Sequence, residues 1–306
     1  MANERPILIT GATGRHGGTG KYVVQALLDR NYKVRALARS DDQRAQALRD
    51  LGAEVVVGDL HDRRTLLSAL KDVESAYFTY PVGAGIVDAA ANFVSAARAN
   101  EVKNLVVMSM APANPDSPSP LGRAQWLADE LFDNAGFECL ILRVAALFFE
   151  NLELLHGGDI EGDGIIRNSF EDVALNWIAG VDAAKLVTAA LIHPQKFRDT
   201  KISYPTGSEH FTHAEVLDKI GRYVGKKLKH ETISAAEWEK HLVDRSQSEL
   251  RIDAAMAKHI SSVGAYLKTA LPTNDLFEQF VGEPQLSIDE ALRTNYFQFP
   301  VLQTTK

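Results

Sequence analysis

The chain has 306 residues, 45% of them hydrophobic and 24% charged, enough apolar chain for the core of one large domain or two modest ones. Its formal net charge of −7 argues against a hold on nucleic acid or an anionic membrane, and the single Cys139, inside the apolar run CLIL, excludes a disulfide framework and fits a reducing compartment. The longest apolar stretch, 139–149, is interrupted by Arg143 and falls well short of the ~20 residues a bilayer requires, and MANERPILIT lacks the apolar region of a secretory signal. A soluble cytoplasmic protein is expected.

From the N-terminus, short β-branched runs alternate with amphipathic stretches, the rhythm of a parallel sheet covered on both faces. Strands are predicted at 6–10, 32–38, 53–58, 75–80, 104–109 and 138–144. Helices are predicted at 21–30, 41–51, 63–70, 85–99 and 121–134, where Leu, Val and Ala recur at helical spacing. Right-handed crossovers would wind these six strands into a doubly wound parallel α/β sheet spanning residues 1–150. After about residue 150 the rhythm changes to glycine-rich HGGDIEGDG, a short strand at 175–179, helices at 183–191 and 212–224, a mainly helical stretch at 234–271 and a last helix at 287–296. This predicts a smaller mixed α/β lobe over residues 151–306, some of whose chain can return to the main sheet. The proline-dense PANPDSPSP at 112–120 follows the fifth strand, at the sheet edge where such folds place ligands.

Thr10 ends the first strand and is followed by GATGRHGGTGKYVVQALL. Gly11 permits a tight turn, Gly14 lets backbone approach a pyrophosphate, and a third glycine lets the helix pack on the strand with its N-terminus toward the phosphates. Two registers share this spacing, Gly11-Gly14-Gly17 and Gly14-Gly17-Gly20, and the apolar helix face starting at Val23 favours Gly20 for the close packing. Arg15, His16 and Gly17 then lengthen the phosphate loop, with Thr13 inside it. A nucleotide triphosphate loop fails on spacing, because Arg15 stands where its first glycine belongs and Lys21 is followed by Tyr22. The reading is a Rossmann domain that binds NAD(P).

The second strand bears on the cofactor type. NAD sites usually end it in Asp or Glu, whereas here Ala38 is followed by Arg39, which can clamp a 2′-phosphate or stand as a solvated charge. NADP(H) is favoured over NAD(H), with Arg15 or His16 able to add charge-assisted contacts. Asp59 and Leu60 close the third strand near the expected adenine, although Asp59 could instead cap the helix beginning near Asp62. Tyr80 and Pro81 close the fourth strand, where a nicotinamide ribose would lie. The histidines, among them His156, His193, His210, His213, His230 and His241, show no ligand spacing, so no metal site is expected.

These residues resemble the NmrA-like group of atypical short-chain dehydrogenases/reductases. The resemblance rests on GATG, VRALAR at the second strand, GAEVVVGDL at the third, LRVAALFFEN at the sixth, and more loosely on VDAAKLVTAAL and FTHAEVLDKIGRYVGKKL. It implies a C-terminal lobe closing a substrate cleft above the nicotinamide; Met110, Phe148 and Phe149 would line an apolar pocket there, and are as easily explained as core residues at buried strand ends. Asn151 falls in the family's Phe-x-Glu-Asn signature, where it would hold the loop. Members include reductases of quinones, dyes and plant phenolics, and redox sensors that bind the dinucleotide without turnover.

The superfamily's usual proton-donating pair, Tyr-x-x-x-Lys, works because one helical turn brings the lysine beside the phenol. LGRAQWLADELF after the fifth strand contains neither residue, and Gln125 stands where related reductases often carry Lys or His; it can orient a carbonyl but has no titratable proton. Ser109 alone is a poor acid, and Tyr223 with Lys227 fits the spacing but lies far along the chain. The expected function is an NADPH-dependent reductase transferring hydride to an apolar, aromatic or quinone-like small molecule. The alternative is a non-catalytic NAD(P)(H) sensor acting through a homodimer or a protein partner.

Overall fold

The computed structural model describes residues 5–14, 18–246 and 252–297. In its first half β1 (Ile7–Ile9), α1 (Thr19–Leu28), β2 (Val34–Ala38), α2 (Gln43–Asp50), β3 (Glu54–Val57), α3 (Arg63–Ala69), β4 (Ser75–Phe78), α4 (Ile86–Ala99), β5 (Asn104–Met110), α5 (Pro120–Asp133) and β6 (Glu138–Val144) alternate strictly. Local signals set the helix starts. Asp42, Asp62 and Ser119 accept first-turn amides of α2, α3 and α5, and Pro120 sits at the first turn of α5, where its missing N–H costs nothing.

Beyond them follow β7 (Leu147–Phe148), α6 (Phe149–Glu161), β8 (Ile165–Asn168), β9 (Leu175–Ile178), α7 (Gly180–Ile192), β10 (Ile202–Ser203), β11 (Glu209–Phe211), α8 (His213–Val224), β12 (Lys229–Thr232), α9 (Ala235–Ser246), α10 (Ala254–Tyr266), α11 (Leu276–Val281) and α12 (Ile288–Arg293). The main sheet is a Rossmann-like doubly wound sheet in the order β10-β6-β5-β4-β1-β2-β3, with every pairing parallel. Its strand order reverses between β1 and β4, the point that opens a crevice for ligands. Ile7 and Ile9 face a core shared with α1 and α7, whereas Leu8 faces the opposite core under α3, α4 and α5. That two-residue alternation locks the register.

Three differences from the sequence expectation have physical causes. The sheet gains a seventh strand, β10, from beyond residue 200; two residues long, it carries no pattern of its own and is held by pairing with Ile141 and Leu142. The glycine-rich HGGDIE forms the end of α6, because Leu152, Leu155, His156 and Ile160 bury one face and Lys226 Nζ donates to the carbonyls of Ile160, Glu161 and Gly162 at 2.8–3.0 Å. The helical stretch from 234 divides into α9 and α10, and Asp253 starts the latter by accepting Met256 N–H at 2.7 Å. Two small sheets, β11-β9-β7 and β12-β8, complete the second half around Trp177 and Trp238. No described helix is long and apolar enough to cross a membrane.

Candidate active site

The turn after β1 is shaped by close backbone approach. Gly11 has φ +67°, and a Cβ there would collide with the Thr79 side chain; a Cβ on Gly20 would sit 2.7 Å from the Gly11 carbonyl, so the first turn of α1 lies directly on the loop. Gly20 is therefore the close-packing glycine of the two registers. The cap residue of α1, Gly18, brings no side chain to the first-turn amides, which leaves an uncapped helix start facing the crevice. Such an end suits a diphosphate. Arg15, His16 and Gly17 lie outside the described residues.

A cavity of about 280 Å³ begins at this loop and continues into the second half of the chain. It brings together Gly11, Gly14, Tyr80, Pro81, Met110, Gln125, Phe148 and Asn151 from among the residues singled out in the sequence. Thr13, Arg39, Asp59 and Leu60 do not line it. Thr13 offers its carbonyl to Arg44 at 3.3 Å, and Arg39 is exposed just past β2, without an ion pair among the described residues. Asp59 caps no helix: its carboxylate accepts the His61 N–H at 2.9 Å, while Asp62 caps α3. Leu60 carbonyl accepts from Asn92. Phe149 also stays out of the cavity, buried in the core against Phe297, because it starts α6 with its ring on the opposite side from Phe148 and Asn151. The loop-holding role expected of Asn151 is filled by its neighbour Glu150, which accepts the Gly180 N–H and the Tyr296 hydroxyl.

The side of α5 that faces the cavity carries a buried polar network. Asp129 accepts hydrogen bonds from the Ser109 hydroxyl at 2.7 Å, from Gln125 Nε2 at 3.0 Å and from Arg143 Nε at 2.9 Å, and Arg143 also reaches the Tyr204 hydroxyl at 3.0 Å. Burial pushes the Asp129 carboxyl above its ordinary range, against the opposite pull of its Gln125, Ser109 and Arg143 partners. Ser109 thus does have a carboxylate neighbour, and Gln125 has its amide anchored so that Oε1 remains for a ligand. Asp129 was missed from sequence although it stands one turn after Gln125, and Arg143 looked like a mere interruption of an apolar strand. Tyr223 does not join this site; it is exposed and donates to Asn295.

The far wall is aromatic. Phe170 stacks on His213 with ring centroids 4.7 Å apart, Trp177 meets the same imidazole edge-on at 5.2 Å, and His156 stacks on Trp238. Burial lowers the pKa of both imidazoles, for His156 against the opposite pull of Asp159, so they stand neutral at pH 7; the Nδ1 of His213 is buried without a hydrogen-bond partner, and that of His156 lies 3.6 Å from Asp159 Oδ2. From α10 comes His259, whose Nδ1 is 2.6 Å from Ser119 Oγ. Its only sequence signal was the stripe of Met256, Ile260 and Val263 that shares its helix face.

The doubly wound sheet, the glycine turn at its reversal point and the cavity above it define a dinucleotide-fold protein. The NmrA-like family model matches residues 3–134 of this chain, the part that carries the glycine turn and the first strands. Across 270 residues, 87% of this chain and 91% of the relative, it is 27% identical to an NAD(P)H azoreductase of Xenophilus azovorans. Its fold is similar to that of an NADPH-dependent quinone oxidoreductase of Escherichia coli solved with NADPH, at TM-score 0.77 and 21% identity over 95% of this chain and all of the other. The triphenylmethane reductase of Citrobacter sp., solved with NADP(H), is alike at TM-score 0.77 and 22% identity over 94% and 99%.

Proposed function

We propose that this protein is an NADPH-dependent reductase that passes hydride to a planar, apolar acceptor of aromatic or quinone-like type. One observation carries the reading: a single cavity runs from the glycine turn, where a dinucleotide would rest, to an aromatic wall contributed by the second half of the chain. Gly11, Gly14, the start of α1, Tyr80 and Pro81 would hold the pyrophosphate and nicotinamide ribose, and a reduced nicotinamide bound there would supply the hydride. Arg39, exposed just past β2 and without an ion pair among the described residues, would meet a 2′-phosphate, and its guanidinium supports NADP(H) over NAD(H). Met110, Phe148 and Leu155 offer flat apolar contact to the acceptor, and Gln125 and Asn151 orient its polar edge.

The absence of a Tyr–Lys pair suits this class of acceptor. A quinone-like product is a stabilised anion that water can protonate, so the site needs to position and desolvate more than to donate a proton. The azoreductase relative, 27% identical over nearly its whole length, supports the same class. The test follows NADPH absorbance in the presence of naphthoquinones, azo dyes and enones, with calorimetric titration of NADPH and NADH alongside. Turnover with at least one acceptor is expected; tight NADPH binding with no turnover on any of them would replace the reductase reading by a dinucleotide sensor.

A further inference from the structure

Along α10, Met256, His259, Ile260 and Val263 turn toward the cavity, and His259 is the one polar side chain of the four. The ring is buried, and its Nδ1 lies 2.6 Å from the hydroxyl of Ser119, itself fully buried at the cap of α5. Ser119 Oγ already accepts the Gly122 N–H at 3.3 Å as the helix cap. Its own hydrogen needs an acceptor, since a buried hydroxyl left unpaired is costly, and Nδ1 of His259 is the partner within reach. The imidazole proton then resides on Nε2. That atom has no protein partner among the described residues and is not sealed from solvent, and burial pushes the ring's pKa down to about 4, so it is neutral at pH 7.

The other polar groups around the cavity are less defined as donors. The Ser109 hydroxyl and one N–H of Gln125 are given to Asp129, and the Tyr80 hydroxyl donates to the Ala84 carbonyl. No hydrogen bond among the described residues fixes which atom Asn151, His156 or His213 presents; the Nδ1 of His156 lies 3.6 Å from Asp159 Oδ2, beyond hydrogen-bond length. We propose that His259, with its tautomer set by Ser119, is the donor that receives the acceptor's carbonyl oxygen, which makes the preferred substrate a planar acceptor with a carbonyl at its edge. The proposal rests on the reductase reading. As the acceptor takes up hydride at its conjugated system, the displaced electron pair moves onto that oxygen, Nε2–H holds it as an oxyanion, and a proton from water completes the reduction.

A matched pair of ligands separates the donor from simple packing: 1,4-naphthoquinone and naphthalene, titrated by equilibrium dialysis into the protein without cofactor. His259→Leu is expected to weaken naphthoquinone about tenfold and to leave naphthalene within about twofold, the ratio one hydrogen bond supplies. His259→Gln, which keeps an N–H, should recover most of the quinone affinity, and Ser119→Ala, which frees the tautomer, should lose part of it. With NADPH present, kcat for naphthoquinone should fall in His259→Leu while the Kd for NADPH holds. Equal loss for both ligands, or no loss for either, overturns the donor. Failure of the wild-type protein to oxidise NADPH with any acceptor overturns the reductase reading instead, and leaves the dialysis comparison intact as the measure of His259.

Discussion

At its glycine end the cavity is walled by backbone, because Gly11, Gly14 and the start of α1 leave bare peptide where side chains would otherwise stand. At its far end the wall is made of side chains, Phe148, Leu155, Phe170, Trp177, His213 and His259, drawn from separate elements across more than a hundred residues. The first kind of wall is intolerant of any added atom but indifferent to polarity nearby. The second tolerates changes of size better than changes of hydrogen bonding. Between them, the Ser109–Gln125–Asp129–Arg143 network forms the seam.

The largest effect is expected at that seam. Arg143→Met leaves the buried Asp129 carboxylate without its cation, and the unfolding free energy measured in urea should drop by about 3–5 kcal/mol. A loss below ~1 kcal/mol would mean that the two ends are held together by apolar packing alone. The side-chain wall should then declare itself in acid. Burial lowers the pKa of His259 from 6.5 to about 4, so the folded state binds fewer protons than the unfolded chain between those values. Its contribution to stability is complete above about pH 6.5 and lost as pH falls toward 4, on the order of 3 kcal/mol for this ring, with His156 and His213 shifted in the same direction. In His259→Gln, the fall of Tm across that window should be visibly shallower; an unchanged slope removes His259 from the account.

Two alanine substitutions sharpen the contrast between the walls. Gly20→Ala places a methyl group 2.7 Å from the Gly11 backbone and should cost about 1–3 kcal/mol, with dinucleotide binding weakened in parallel. Gly157→Ala, inside α6 with nothing within 4 Å of the new carbon, should stabilise by roughly 0.5–1 kcal/mol through helix propensity. Opposite signs in thermal melts are expected, and matching signs would erase the distinction. In cofactor binding rather than stability, Arg39→Ala should weaken NADPH about tenfold more than NADH if the guanidinium meets the 2′-phosphate. Parallel loss for both cofactors sends Arg39 back to the solvated surface.

Much of the glycine end was legible because its residues are neighbours in sequence. β1, the turn glycines Gly11 and Gly14 and the start of α1 follow one another closely along the chain, and the position of Gly20 could be inferred from the apolar face that follows it. Phe148 and Asn151 were found through the FFEN motif, yet Phe149, one residue away, went to the core, because where α6 begins decides which ring faces inward. Asp129 could have been read from its i, i+4 relation to Gln125. His259 could not, since it meets Ser119 across 140 residues and its helix looks like any amphipathic segment.

What the amino-acid order alone determined is the alternation of strand and helix up to residue 144 and the glycine turn at the first crossover. Those follow from periodicity and from backbone freedom at single residues, which act over a few positions. Only the tertiary structure decided that β10 would join the main sheet, that Glu150 would hold α7, and that a histidine near the end of the chain would be oriented by a helix cap from its middle. Such pairings are set by which buried polar atoms find partners when distant elements pack, and no local pattern records that choice.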